Sequence, residues 1–247
     1  MKIAAISDIH SNIYALQRVL GDIKRRGVDV TVNLGDILYG PIEPKATYEL
    51  LMENELVTIR GNQDRQIYEA SQEEIETNPT MQFILKDLGE QPLIWMKNLP
   101  FSMQLTDQVF LCHGTPNNDL IYFLESVETG STKVRNDEDI IKLLAGQTSD
   151  VILCGHTHTP RAVTTSTKQL IVNPGSVGLP AYVDDLPVAH SIENHSPHAT
   201  YAILELVGTE WNVQHIRVPY DHEKAARAAE LRGREDWVHF LLTGRAE

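Results

Sequence analysis

Lys2-Ile-Ala-Ala-Ile-Ser-Asp-Ile-His-Ser-Asn12 opens the chain with an apolar run that ends in two side chains able to bind metals, Asp8 and His10. Short apolar runs of this kind read as buried strands of a sheet covered on both faces. The same grammar recurs four times. Val-Thr-Val-Asn-Leu-Gly precedes Asp36, Leu-Val-Thr-Ile-Arg-Gly precedes Asn62, Val-Phe-Leu-Cys precedes His113, and Val-Ile-Leu-Cys-Gly precedes His156, with His158 two residues on. Ligands at the carboxyl ends of such strands converge on one rim, where open α/β sheets build their sites. All seven side chains offer oxygen or neutral nitrogen and none is a thiol. That selects against an iron–sulfur or structural zinc site and for divalent ions used in hydrolysis.

Between these runs the pattern turns helical. Ile13, Leu16, Val19, Leu20 and Ile23 recur at helical spacing up to Gly27, which can close the helix. A strand over 28–34, a helix over 45–54 and a strand over 56–59 complete a βαβαβ unit. Residues 80–99 are predicted as a helical elaboration interrupted at Pro92. Strands then follow near 101–105 and 108–112, a helix over 137–144 closed by Gly146, and strands over 151–154, 162–165 and 169–172. A Gly208-Thr209 hairpin joins 200–207 with 210–217. Residues 222–242 are predicted as C-terminal helices broken at Gly233, with Trp237, Phe240, Leu241 and Leu242 covering the sheet rather than a second subunit.

Two strand-rich halves with helices outside predict an α/β (α+β) fold: a four-layer α/β/β/α sandwich of two mixed β-sheets, with the metal site at the carboxyl ends of the strands. With no internal repeat, residues 1–247 are expected to form one domain. A length of 247 residues and 42% apolar content are enough for a substantial core. No stretch approaches the ~20 apolar residues of a membrane span, and no cleavable leader is read at the start, so a cytoplasmic protein without membrane contact is expected. The formal charge of −13 argues against a broad nucleic-acid surface. A phosphate substrate must therefore be attracted locally, which bound cations would do. Cys112 and Cys154 read as buried thiols without chemistry.

Asp8-x-His10, Gly35-Asp36, Gly61-Asn62-x-Asp64, His113-Gly114 and Gly155-His156-x-His158, in this order, resemble the calcineurin-like metallophosphoesterase superfamily. The Ser-Asp-Ile-His-Ser-Asn start and Asn173-Pro174-Gly175-Ser176 are most similar to its small bacterial and archaeal phosphodiesterase branch. The resemblance covers Met1 to about Val218. It implies that Asp8, His10 and His158 bind one metal, Asn62, His113 and His156 a second, and Asp36 bridges the two. It also implies attack on phosphorus by a hydroxide shared between the ions, with Asn62 and Asp36 serving catalysis. Mn²⁺ is the favoured ion, with Fe, Zn, Ni or Mg as alternatives that these ligand types do not separate.

One position departs from the commoner family pattern. Many members carry His after the Asn, to donate a proton to the leaving group or steady the transition-state oxygens, where this chain has Gln63, an amide that cannot deliver a proton near neutral pH. The general acid is thus unassigned. His190, His195 and His198 lie in the polar stretch Ala181 to Ala199, which reads as a surface excursion, with a lid as the alternative. Arg65 is a candidate for a phosphate oxygen or for a salt bridge to an acid such as Asp64, and Arg161 carries the same ambiguity. Asn12 is a candidate helix cap or marks a helix start offering N–H groups to phosphate. The expected activity is a phosphodiesterase acting on a small or nucleotide-type diester or anhydride. A phosphomonoesterase or protein phosphatase is the rival, and a catalytically silent scaffold, as in a retromer subunit of this superfamily, is a third reading. The oligomeric state is left open.

Overall fold

The protein is described over residues 1–127 and 132–247 of a computed structural model. Its first-half strands are β1 (Lys2–Ile6), β2 (Val30–Asn33), β3 (Val57–Thr58), β4 (Met103–Thr106), β5 (Val109–Leu111), β6 (Glu125–Ser126) and β7 (Lys133–Val134). The second half adds β8 (Val151–Leu153), β9 (Arg161–Thr164), β10 (Leu170–Asn173), β11 (Ala181–Asp184), β12 (His190–Glu193), β13 (Ala199–Val207) and β14 (Glu210–Val218). The helices are α1 (Ile13–Arg26), α2 (Pro44–Met52), α3 (Asn62–Glu69), α4 (Gln72–Thr77), α5 (Pro79–Leu88), α6 (Glu90–Asn98), α7 (Asp137–Leu143), α8 (His222–Glu230) and α9 (Glu235–Thr243).

Two five-stranded mixed sheets form the centre, in the orders β14-β13-β1-β2-β3 and β4-β5-β8-β10-β9. Alternation along β1 explains why they stack. Ile3 and Ala5 point inward with Val32, Leu34 and Ile59, and meet Val109, Leu111, Val151 and Val172 of the second sheet. Ala4 and Ile6 point the other way, onto Leu16 and Val19 of α1 and the alanines of α8. The outer face of the second sheet is covered at Ile152 and Ile171 by Ile140 and Leu144. Helices thus flank a double sheet, as the strand rhythm predicts, and each fully buried Ile, Leu or Val contributes ~1.5–3 kcal/mol of burial energy.

Local chemistry sets the element ends. Asn12 caps α1 by accepting from the Ala15 N–H at 3.1 Å, and Gly27 closes it with φ 59°. The Gly208-Thr209 turn forms as expected, with Val207 opposite Glu210. Gly233, at φ 70°, lies between α8 and α9.

Three expectations require correction. The break within 80–99 falls at Gly89, with φ 68°, and not at Pro92, which sits in the first turn of α6. There its missing N–H is one that a helix start leaves unpaired in any case. Residues 181–199 are not irregular but carry the β11–β12 hairpin, whose tip at 183–187 is exposed and whose base is tied down where the Asn194 amide donates to the carbonyls of His158 at 2.9 Å and Pro180 at 3.1 Å. On α9, Trp237, Phe240 and Leu241 are buried, whereas Leu242 is exposed. No helix among the described residues is long and apolar enough to cross a membrane.

Candidate metal centre

Parallel pairing of β1, β2 and β3, and of β5, β8 and β10, brings the carboxyl ends of six strands to one rim. The chain leaves several of these ends through left-handed residues: φ is 55° at Asp8, 49° at His10, 54° at Asp36, 72° at His156 and 54° at His158. For a residue with a Cβ this region costs roughly 1–2 kcal/mol. Bonds between neighbouring strand ends hold the strain, from the Asp8 N–H to Gly35 O at 3.0 Å, His10 N–H to Asp36 O at 3.1 Å and Gly155 N–H to His113 O at 2.7 Å. Backbone strain concentrates where side chains must be aimed.

The aim is at two adjacent points. Asp8, His10 and His158 form one group and Asp36, His113 and His156 the other, with ligand atoms in each within 4.8 Å of one another. Asn62 joins the second group, its Oδ1 lying 3.0 Å from His113 Nε2. The hydrogen bonds test whether these residues fit a cation. His10 Nδ1 meets the carbonyl of Tyr39 at 3.0 Å, and His158 Nδ1 that of Leu179 at 2.7 Å. A carbonyl only accepts, so each neutral ring carries its proton on Nδ1 and presents a lone pair at Nε2. These two Nε2 atoms face each other at 3.0 Å, beside an Asp8 Oδ1 that is buried with no hydrogen-bond partner. His113 differs: Nδ1 donates to Leu34 O at 2.8 Å, and Nε2 faces the oxygens of Asn62 at 3.0 Å and Asp36 at 3.4 Å, an arrangement that either a proton or a cation at Nε2 satisfies. Between His10 and His158, acceptor against acceptor is unfavourable unless a positive charge lies between, and at His113 a cation can take the place of the proton, so the donor sets fit divalent cations.

Electrostatics agree. Burial, reinforced by the neighbouring imidazole of His158, pushes His10 down to about 4, and burial with the charge of His113 does the same to His156. Both rings are neutral and available as ligands at physiological pH. Burial also opposes charge on His113, but the Asp36 carboxylate outweighs it and lifts the pKa to about 10. Burial would raise Asp36, and its neighbouring imidazoles hold it well below the usual carboxylate range. A metal arriving at this group at neutral pH therefore displaces a proton from His113.

Asp64 braces the rim. Its carboxylate is fully buried and accepts the N–H groups of Asp36 at 2.9 Å, Ile37 at 2.8 Å and Gly61 at 2.9 Å, tying the Gly-Asp turn to the Gly-Asn turn. Burial and the Asp36 charge push its pKa up to about 7 against those N–H bonds. A cation on Asp36 removes that repulsion and favours the ionised form. Gly61 is required sterically, since a Cβ there would strike Asp36 Oδ1 and the Asp36 nitrogen. Its φ of −97° is open to any residue. Gly61→Ala is accordingly expected to cost about 1–3 kcal/mol through overpacking and to lower metal content, both measurable by thermal melting and elemental analysis. Unchanged metal content would mean that Asp36 tolerates displacement.

Two substrate-binding candidates are committed elsewhere. Arg65 reaches Asp119 through Nε at 3.2 Å and Nη2 at 3.0 Å, and Glu69 at 3.5 Å; the acid is thus distant in sequence and is not Asp64. Asn12 is fully buried, with its amide donating to Gly178 O at 2.9 Å and Tyr220 Oη at 3.1 Å, so it is a cap and a tie between segments. Arg161 pairs with the buried Glu125 at 2.7 Å. Ser176 lies beneath the site and donates to Asp8 O at 2.8 Å. Gln63 does line the cleft, and its Oε1 is buried without a partner. Of the histidines in 181–199, His190 is buried behind Tyr122, bonded to its hydroxyl at 3.0 Å. Reading the sequence missed the roles of Asp64, Asp119 and Trp237, whose ring packs edge-on to His10 at 5.8 Å. For Asp64 a signal existed, because an acid three residues after a helix cap reaches back to the cap N–H.

The family model of the calcineurin-like phosphoesterase superfamily domain matches residues 1–209. The uncharacterized protein MJ0912 of Methanocaldococcus jannaschii is 26% identical over 264 aligned residues, covering 96% of this chain and 95% of that one. A metallophosphoesterase from Sphaerobacter thermophilus shares the fold, with a TM-score of 0.75, 23% identity and 99% of both chains covered. With a family match over residues 1–209 and the candidate metal ligands gathered on one rim, this chain belongs to the calcineurin-like phosphoesterase superfamily.

Proposed function

We propose that the protein is a two-metal phosphodiesterase acting on a small organic phosphodiester or a nucleotide-type anhydride. The observation that carries this reading is the pair of adjacent groups of ligand atoms, with His10 Nε2 turned onto His158 Nε2 and His113 Nε2 turned onto the oxygens of Asn62 and Asp36. In the proposal Asp8, His10 and His158 hold one ion, Asn62, His113 and His156 the other, and Asp36 is shared. Two such ions, Mn²⁺ being favoured among Fe, Zn, Ni and Mg, would supply an acidified water and neutralise charge on the phosphoryl oxygens. The remaining residues orient this centre: Asp64 fixes Asp36, and the carbonyls of Tyr39, Leu179 and Leu34 fix the imidazoles. The reading takes residues 1–247 as one functional unit in the cytoplasm, where the free thiols of Cys112 and Cys154 would stay reduced.

A diester is preferred over a monoester on charge grounds. Arg60 and Arg65 are paired to Asp119, Arg161 to Glu125 and Arg234 to Asp236. A dianionic monoester would find these guanidinium groups already neutralised, whereas a diester carries one charge for the cations to meet. With Mn²⁺ added to metal-stripped protein, bis(p-nitrophenyl) phosphate is expected to turn over faster than p-nitrophenyl phosphate. Preference for the monoester would overturn the reading, and no turnover with any of several metals would favour a scaffold.

Gln63 makes a further expectation. It faces a cleft of about 320 Å³ and can donate a hydrogen bond but not a proton at neutral pH. General acid assistance is worth ~10²–10⁴-fold, and its absence penalises poor leaving groups most. Rates over a series of aryl and alkyl diesters should fall steeply as leaving-group pKa rises, and Gln63→His should flatten the slope. A flat dependence in the parent chain would show that another group delivers the proton.

A further inference from the structure

The cleft over the metal ligands continues past Asn62 and His156 into a second cavity of about 480 Å³, the two sharing Asn62, Tyr122, His156 and Asp184 in their walls. The outer walls of this cavity are aliphatic, built from Leu120, Ile121, Val127, Leu186 and Pro187. Leu120 is 60% exposed and Leu186 74% exposed. Single exposed leucines are ordinary, but apolar side chains gathered on a concavity that opens into a polar site mark a ligand groove.

We propose that this cavity binds a hydrocarbon substituent of the substrate, so that the preferred diester is amphiphilic. The proposal narrows the phosphodiesterase reading and rests on it for the reaction, though not for the binding preference. A nucleobase fits the walls less well, because it needs an aromatic face to stack on. Tyr122 is the only Phe, Tyr or Trp among the described lining residues. Its ring packs edge-on against His156 and His190, at 4.8 and 5.5 Å, and its hydroxyl is bonded to Tyr182 at 2.7 Å. A polyphosphate chain fits poorly as well, since the Asp184 carboxylate stands where cleft and cavity join. Arg135 is the basic residue of the wall, and its Nε donates to the Tyr122 carbonyl at 3.1 Å.

The test uses alkylphosphonates from methyl to hexyl, which have no scissile ester, titrated calorimetrically into the Mn²⁺-loaded protein and into the metal-stripped protein. Affinity is expected to rise with chain length by up to about fourfold per methylene, the fold-change equivalent of burying each one. Leu186→Asp and Leu120→Asp, both at exposed positions, should abolish that increment. Affinity independent of chain length overturns the proposal, as does an increment that survives both substitutions, or adenosine monophosphate binding more tightly than the hexyl compound. If the increment is present but no diester is hydrolysed, the cavity assignment stands and the phosphodiesterase reading falls. If diesters are hydrolysed without any increment, the reverse holds.

Discussion

Asp36→Asn is expected to reduce diester turnover by roughly 10²–10³-fold or more, the range associated with loss of one preorganised electrostatic group, and to lower metal content at the same time. The change is nearly isosteric. Asn retains the oxygen that accepts the Gln63 N–H at 2.9 Å, so the α3 end of the site should keep its geometry. What disappears is the negative charge, and the second oxygen, 3.4 Å from His113 Nε2, becomes an NH₂ group or exchanges with one. An NH₂ cannot ligate a cation through a lone pair as the carboxylate does, and its partial positive charge repels the ion. The measurement is turnover of a matched pair of aryl diester and monoester, with metal content by elemental analysis on the same samples. A variant that keeps full metal content and rate would remove Asp36 from the centre.

Asp64→Asn should act without touching metal or substrate. The parent carboxylate serves three buried N–H groups, from Asp36, Ile37 and Gly61. Hydrogen bonds to a buried charge are worth ~1.5–3 kcal/mol each, and a donor left unpaired costs ~1–3 kcal/mol. Asn offers one oxygen and turns an NH₂ toward at least one of these donors. A net loss of about 2–5 kcal/mol is expected, which for a chain of this size is a fall in melting temperature of roughly 5–20 °C. Metal affinity should weaken ~10–100-fold, as for other groups that orient ligands from behind. Calorimetric melting with and without Mn²⁺, followed by metal titration, separates the two effects. Melting and titration curves that overlay those of the parent chain would show that the two turns are held by other bonds.

The seven candidate ligand positions could be picked out because each lies at the end of an apolar run or two residues further on and each offers an oxygen or imidazole donor. Parallel strands carry such positions to one rim whatever the intervening helices do, and the rim is where the structure gathers them. The double sheet was legible for a similar reason, since a run that is apolar at every position, such as Ile3-Ala4-Ala5-Ile6, gives its strand two buried faces. The helical break at Gly89 was misread because Pro is the stronger breaker only inside a helix, and Pro92 stands in a first turn where no N–H is needed.

Long-range partners escaped the sequence. For Arg65 the sequence offers a phosphate oxygen or an acid such as adjacent Asp64, but Asp64 is turned into the core by three N–H donors, and Arg65 finds Asp119. The stretch 181–199 looked polar and irregular, yet Asn194 and the pairing of β11 with β12 hold it against the site. The candidate ligands, the succession of strands and lack of a proton donor at Gln63 belong to the sequence, because side-chain chemistry and periodicity are local properties. The left-handed turns that aim Asp8, His10, Asp36, His156 and His158, the facing lone pairs and the aliphatic cavity beside them belong to the tertiary structure. Each of these depends on distances between segments that are far apart in the chain, and only the packed sheets bring them together.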